Sequence, residues 1–118
     1  MKFKGLALFS ALAILSFCGA ACSSNADDPQ SVIIREEAGR RNVAIISVEQ
    51  AKSEVAKRLP SKYIRYGDIK LDNEADDYPN ESNFRPVYKV ECVTGIWTEY
   101  EFEIDAVTGE MLKVDADD

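Results

Sequence analysis

A chain of 118 residues carrying 21 acidic and 14 basic side chains, formally -7 at neutral pH, and no histidine is bounded from the start. An acidic surface repels phosphate backbones, so nucleic acid is not an expected partner. Without histidine there is no Ser-His-Asp or Cys-His nucleophile and no His-containing zinc site, and the length supports one small core.

Lys2 and Lys4 precede an uncharged apolar run, LALFSALAILSFCGAAC, that ends at Cys22. The run is short for a membrane span and has the charged, apolar, small-residue order of a secretory signal, so residues 1–21 are expected to be removed. Cys22 follows Gly19-Ala20-Ala21, small residues of the kind a cleavage site requires, whereas Cys18 follows Phe17. The stretch resembles a bacterial lipobox, with Gly19 where leucine is commoner. That resemblance implies that Cys22 becomes the fatty-acylated (palmitate-type) first residue of a lipoprotein held at the bacterial cell envelope; ordinary cleavage after Ala21 would leave a soluble protein. Ser23 rather than aspartate after the cysteine favours the outer membrane by analogy. Removing the signal takes away two of the 14 basic residues and none of the 21 acidic ones, moving the formal charge from -7 to -9. Cys92 is then the only thiol in the folded part, so no intradomain disulfide is expected.

Residues 22–31, CSSNADDPQS, read as a polar tether, and residues 32–118 as the domain. SVIIREEAGRRNVAII, residues 31–46, stays ambiguous: Val32, Ile33 and Ile34 suit a strand or a helix, Gly39 interrupts either, and NVAII reads as extended. The next segment is clearer. Ser47 is a good N-cap, and Gln50 three residues on completes a capping box. Val48, Ala51, Val55 and Leu59 recur at helical spacing with Ala56 beside them, and Pro60 forbids continuation. This predicts an amphipathic helix over about 48–59.

YGDIKLDNE then alternates as a strand with Ile69 and Leu71 on one side, and residues 72–86, DNEADDYPNESNFRP, read as a long, mobile polar connection. In the two strands that follow, Tyr88, Val90 and Cys92 share a face, as do Tyr100, Phe102 and Ile104. A two-residue turn would pair Val90 with Glu99 and bury a charge. A three-residue loop, Thr94-Gly95-Ile96 with Gly95 left-handed, pairs Val90 with Tyr100 and Tyr88 with Phe102, and sets Lys89 beside Glu101. In DAVTGE, Asp105 can accept from amides two or three residues on and Gly109 supplies positive φ. Leu112 and Val114 should then rejoin Phe102 and Ile104, through a loop that is odd in length or bulged. The expected fold is α+β: one amphipathic helix packed on a three- to four-stranded antiparallel β-sheet. Tyr88, Val90, Tyr100, Phe102, Ile104, Leu112 and Val114 turn inward, and Glu99, Glu101, Glu103 and Asp105 face water.

No catalytic residues emerge. Carboxylates two apart on a strand lie about 7 Å from each other and stay solvated on an open face, where they cannot acquire the shifted pKa values that acid/base work needs. The six glycines are scattered, which leaves no phosphate loop. DNEADD invites a calcium reading, but counting from Asp72 the sixth and twelfth EF-hand positions are Asp77 and Asn83 instead of Gly and Glu, and the match fails. Asp72, Glu74, Asp76 and Asp77 remain as a weak set for loose cation binding, set against a solvated loop; no cofactor is expected. Trp97, the only tryptophan, is expected outward at a hairpin tip, either as a partner anchor or folded over its own hairpin.

ISVEQAKSEVAKRL followed by VYKVEC, YEFEIDAVTGEML and a terminal acidic cluster resembles the PepSY domain family, in which an isxeeA helix precedes strands ending in vDaxTGev. The match covers residues 46–114, and the Asp-x-x-Thr-Gly hairpin is its most specific part. The resemblance implies a helix on an antiparallel sheet, occurrence in propeptides of secreted metallopeptidases, and inhibition or local control of peptidases. It supplies no catalytic residues, and since no peptidase accompanies the domain here, any inhibition would act in trans. The expected function is a non-catalytic, lipid-anchored envelope module that binds and modulates a peptidase or other envelope protein, with Trp97, Glu99, Glu101 and Glu103 as partner-binding candidates. The alternative is an acidic cell-surface protein that collects divalent cations or basic peptides.

Overall fold

Asp28 and Pro29 open a helix that the composition of this stretch conceals. In the computed structural model, which describes residues 25–59, 63–95 and 98–117, α1 spans Pro29–Arg40. The Asp28 carboxylate accepts from the Ser31 amide and hydroxyl, and Pro29 takes the first helical position, where no amide partner is lost. Ile34 and Ala38 point into the core, while Ile33 is 52% exposed. The ambiguous stretch is thus helical through Arg40, with Gly39 inside its last turn. Residues 43–46 follow outside any strand; the Ile46 N–H donates to the Ala106 carbonyl at 2.7 Å, and the Ile46 carbonyl accepts from the Tyr88 hydroxyl at 2.7 Å.

Helix α2, Val48–Ala56, carries the expected capping box, with Gln50 N–H donating to Ser47 Oγ and Ser47 N–H donating to Gln50 Oε1. Such a cap is worth about 1 kcal/mol. Ala51 and Val55 are fully buried and Val48 packs beside them. The helix stops short of the predicted end at 59, leaving Ala56 exposed, although Leu59 still reaches the core.

Four antiparallel strands form one sheet in sequence order: β1, Ile64–Asn73; β2, Pro86–Thr94; β3, Thr98–Asp105; β4, Met111–Asp117. The fold is α+β, as expected, with a second helix and all four strands. Ile69, Leu71, Tyr88, Val90, Cys92, Phe102 and Ile104 build the inner face and join both helices in one core. Tyr88 and Phe102 are its largest members; each fully buried side chain of this kind contributes about 2 kcal/mol.

The β2–β3 loop has the predicted three residues and the predicted parity, but sits one residue further on. Thr94 faces Thr98, so Val90 pairs with Phe102, Tyr88 with Ile104, and Lys89 with Glu103 in place of Glu101. Gly95 has the anticipated left-handed φ of 59°. In the last hairpin Phe102 faces Val114, and a bulge brings Ile104 opposite Met111. Asp105 Oδ1 accepts from the Val107 and Thr108 amides, two and three residues on, and Gly109 has φ 82°. Two expected core members fall short: Val114 shares the inner face with Phe102 yet is 49% exposed, and Leu112 is half-buried.

The far end of the supposed tether is also part of the fold. Ala26 is buried and its amide donates to the Ile69 carbonyl at 2.7 Å, and Ser31 Oγ accepts from the Leu71 amide at 2.8 Å. Arg35 reaches back to the Ala26 carbonyl. These bonds cover the free edge of β1 at Ile69 and Leu71.

Candidate functional site

Alternation along β2, β3 and β4 sends a second set of side chains to the outer face, and the register arranges them in rungs. One rung, Lys89–Glu103–Lys113, alternates in sign. The next, Glu91–Glu101–Asp115, is three carboxylates abreast, and beyond it Glu99 faces Asp117. Like charges placed directly opposite on a sheet repel.

The two ends of this face differ because residues 74–85 fold across one of them. Asn73 Oδ1 accepts from the Ala75 and Arg85 amides, Asn80 bonds Phe84 on both its amide and its carbonyl, and Phe84 is buried. The Tyr78 hydroxyl donates to Glu103 Oε1 at 2.9 Å, Arg85 Nε pairs with Asp105 Oδ2 at 2.6 Å, and Lys89 Nζ pairs with Glu74 at 2.9 Å. This segment was expected to be a mobile loop; its hydrogen bonds pin it instead. It leaves Glu103 and Asp105, expected in water, 7% and 3% exposed.

Burial by itself would raise the Asp105 carboxyl, but the Thr108 and Val107 amides and the Arg85 guanidinium outweigh it and hold the group below the usual aspartate range. Tyr78 is pushed up to about 12, by burial first and by Glu103 next. Glu74 is raised by burial, which its Lys89 partner only partly offsets, with Asp77 and Asp72 adding to the rise.

The other end stays open. A hollow of about 670 Å³ lies there; its lining includes Glu91, Glu99, Glu101, Asp115 and Asp117 beside apolar residues and has no lysine or arginine, while Lys113 Nζ pairs with Asp115 Oδ2 at 3.2 Å. A second hollow of about 360 Å³ adjoins it through Glu91 and Glu101 and extends to Lys70, Asp72 and Lys89.

The structure therefore brings Glu99 and Glu101 of the candidates together and sets Glu103 apart, bound to Tyr78. Trp97 and Cys22 lie outside the described residues. Glu91, Asp115 and Asp117 were missed as site residues, although their parity was readable: Glu91 alternates with Val90 and Cys92, and Asp115 and Asp117 with Val114 and Ala116. The DNEADD set is dispersed. Asp72 and Glu74 face Lys89, Asp76 and Asp77 are exposed in the following turn, and no cluster of three or more potential ligands able to hold a metal occurs among the described residues. Cys92 is buried, with its thiol pushed up to about 11 by that burial.

Two helices laid on one face of a four-stranded antiparallel meander, with the opposite face half roofed and half open, define a small α+β module. A family profile described as "Peptidase propeptide and YPEB domain", PepSY, matches residues 45–115, more than half of the chain, from the lead-in to α2 through most of β4. The chain belongs to the PepSY family. No curated protein and no solved structure matches it significantly.

Proposed function

We propose that this chain is a non-catalytic PepSY module, tethered to the bacterial envelope through a lipid on Cys22, that docks on a secreted or envelope protein of the peptidase class and restrains it in trans. The single observation that carries the docking half is the open end of the outer face, where five acidic residues line one hollow that has no lysine or arginine in its lining, with Asp115 paired to Lys113 at its rim. Such a surface steers a basic partner and rejects an acidic one. Family membership directs the choice of partner toward peptidases. Tethering would leave only Ser23 and Ser24 between Cys22 and the first described residue, Asn25, and would hold the module close to the lipid surface, with the outer membrane favoured by Ser23.

The test is hydrolysis by secreted metallopeptidases with and without the mature chain. Slowed turnover that is lost in the Glu91→Lys, Glu101→Lys double variant supports the reading; unchanged turnover across the panel, with no complex on gel filtration, overturns it. The anchor is tested separately. Labelled fatty acid should stay with the protein, and Cys22→Ala should release it from membranes. The basic-peptide version of the alternative reading draws on the same hollow, whereas its cation version finds no ligand cluster among the described residues.

A further inference from the structure

The sheet has two edges, and the chain treats them oppositely. At β1 the outward Ile69 carbonyl and Leu71 amide are bonded by Ala26 and Ser31. At β4 no backbone bond outside the β3 ladder engages residues 111–117 among the described residues, and Lys113 through Asp117 are all exposed. An open edge presents alternating N–H and C=O groups to any extended chain. The same strand is two-faced: its inner side offers Val114, half exposed, and Ala116, and its outer side offers Asp117 and Asp115, the latter paired to Lys113, at the rim of the acidic hollow.

We propose that the β4 edge is a strand-addition site for an extended segment of the partner protein in which basic and apolar residues alternate. Added beside β4, such a segment places every second side chain over the hollow and the others against Val114 and Ala116, extending the inner face. A basic strand suits this edge better than a second copy of this chain. The outer side of β4 carries Asp115 and Asp117 against Lys113, which already pairs with Asp115. Two β4 strands together would still hold more carboxylates than cations, whereas a lysine-bearing strand supplies the missing charge. This inference rests on the docking reading above and specifies its mode.

The probe is the peptide Lys-Val-Lys-Val-Lys, titrated into the mature chain and followed by amide chemical shifts and hydrogen exchange. Controls are Lys-Lys-Lys-Val-Val and two forms of the probe N-methylated at odd or at even positions. Only alternate peptide N–H groups face β4, so one methylated form should bind about tenfold or more weaker while the other binds like the parent, with the β4 amides newly protected. The Lys-Lys-Lys-Val-Val control and the Asp115→Lys, Asp117→Lys variant should each weaken binding comparably. Equal effects of both methylations, no effect of either, or no binding at all overturns the proposal. Peptide binding without any action on peptidases would remove the peptidase reading and keep the edge; peptidase restraint without these peptide differences would do the reverse.

Discussion

Glu101 and Glu103 are next-but-one neighbours on the same side of β3, and they live under different conditions. Glu103 sits between Lys89 and Lys113, holds the Tyr78 hydroxyl and is roofed by residues 74–85. Glu101 lies between Glu91 and Asp115 at the open hollow. Identical in type and in the direction they point, they differ in what the connection after β1 does. At the roofed end the carboxylates hold the fold together; at the open end Glu101 stands between Glu91 and an Asp115 paired to Lys113, and the repulsion left over would be relieved by a cationic partner.

Substitutions should separate the two ends. The largest effect is expected for Asp105→Ala, which strands Arg85 and frees the Val107 and Thr108 amides. Breaking such a buried pair costs about 3 kcal/mol, read as a melting-temperature drop on the order of 15 °C. The acid limb of stability tests the same group. Because Asp105 titrates below its unfolded range, its contribution is complete above about pH 4 and is lost as acid protonates the native carboxylate. Glu74 is raised instead; the native state takes up its proton more readily, so this group opposes the loss as pH falls through the glutamate range. Melting temperature against pH should therefore fall below pH 4 and fall less steeply in Asp105→Asn; equal slopes would break the assignment.

Tyr78→Phe comes next, removing the one hydroxyl bound to buried Glu103, with a loss of about 1.5 kcal/mol in denaturant midpoints. Smallest, and opposite in sign, is Glu101→Lys. It replaces a repelling rung by an attracting one and should raise stability by about 0.5 kcal/mol in chemical denaturation while abolishing partner binding. A destabilised Glu101→Lys would erase the contrast between the two ends.

Much of the architecture was legible because it is local. The Ser47–Gln50 cap, the left-handed Gly95 and the Asp105 turn each depend on residues within three or four positions, and parity alone decided that Tyr88, Val90, Phe102 and Ile104 turn inward. The loop slid by one residue because Thr94-Gly95-Ile96 and a loop beginning at Gly95 preserve the same faces, and alternation cannot distinguish them. Helix α1 was hidden by its polar opening, though Asp28-Pro29 is an N-cap followed by a first-turn proline. The roof over Glu103 and Asp105 was not readable at all, since it depends on where Tyr78 and Arg85 land after a reversal of the chain. For the site, strand parity found Glu99 and Glu101; their partners on β2 and β4 needed the register.

Cys92 gives the molecule a built-in clock. Its sulfur is walled off in the core, and its thiol is pushed up to about 11, so a thiolate-seeking reagent in neutral buffer must wait for the protein to open. The rate at which the native protein is alkylated there counts those openings, and a ligand that bridges the unsealed margin of the sheet should slow the count.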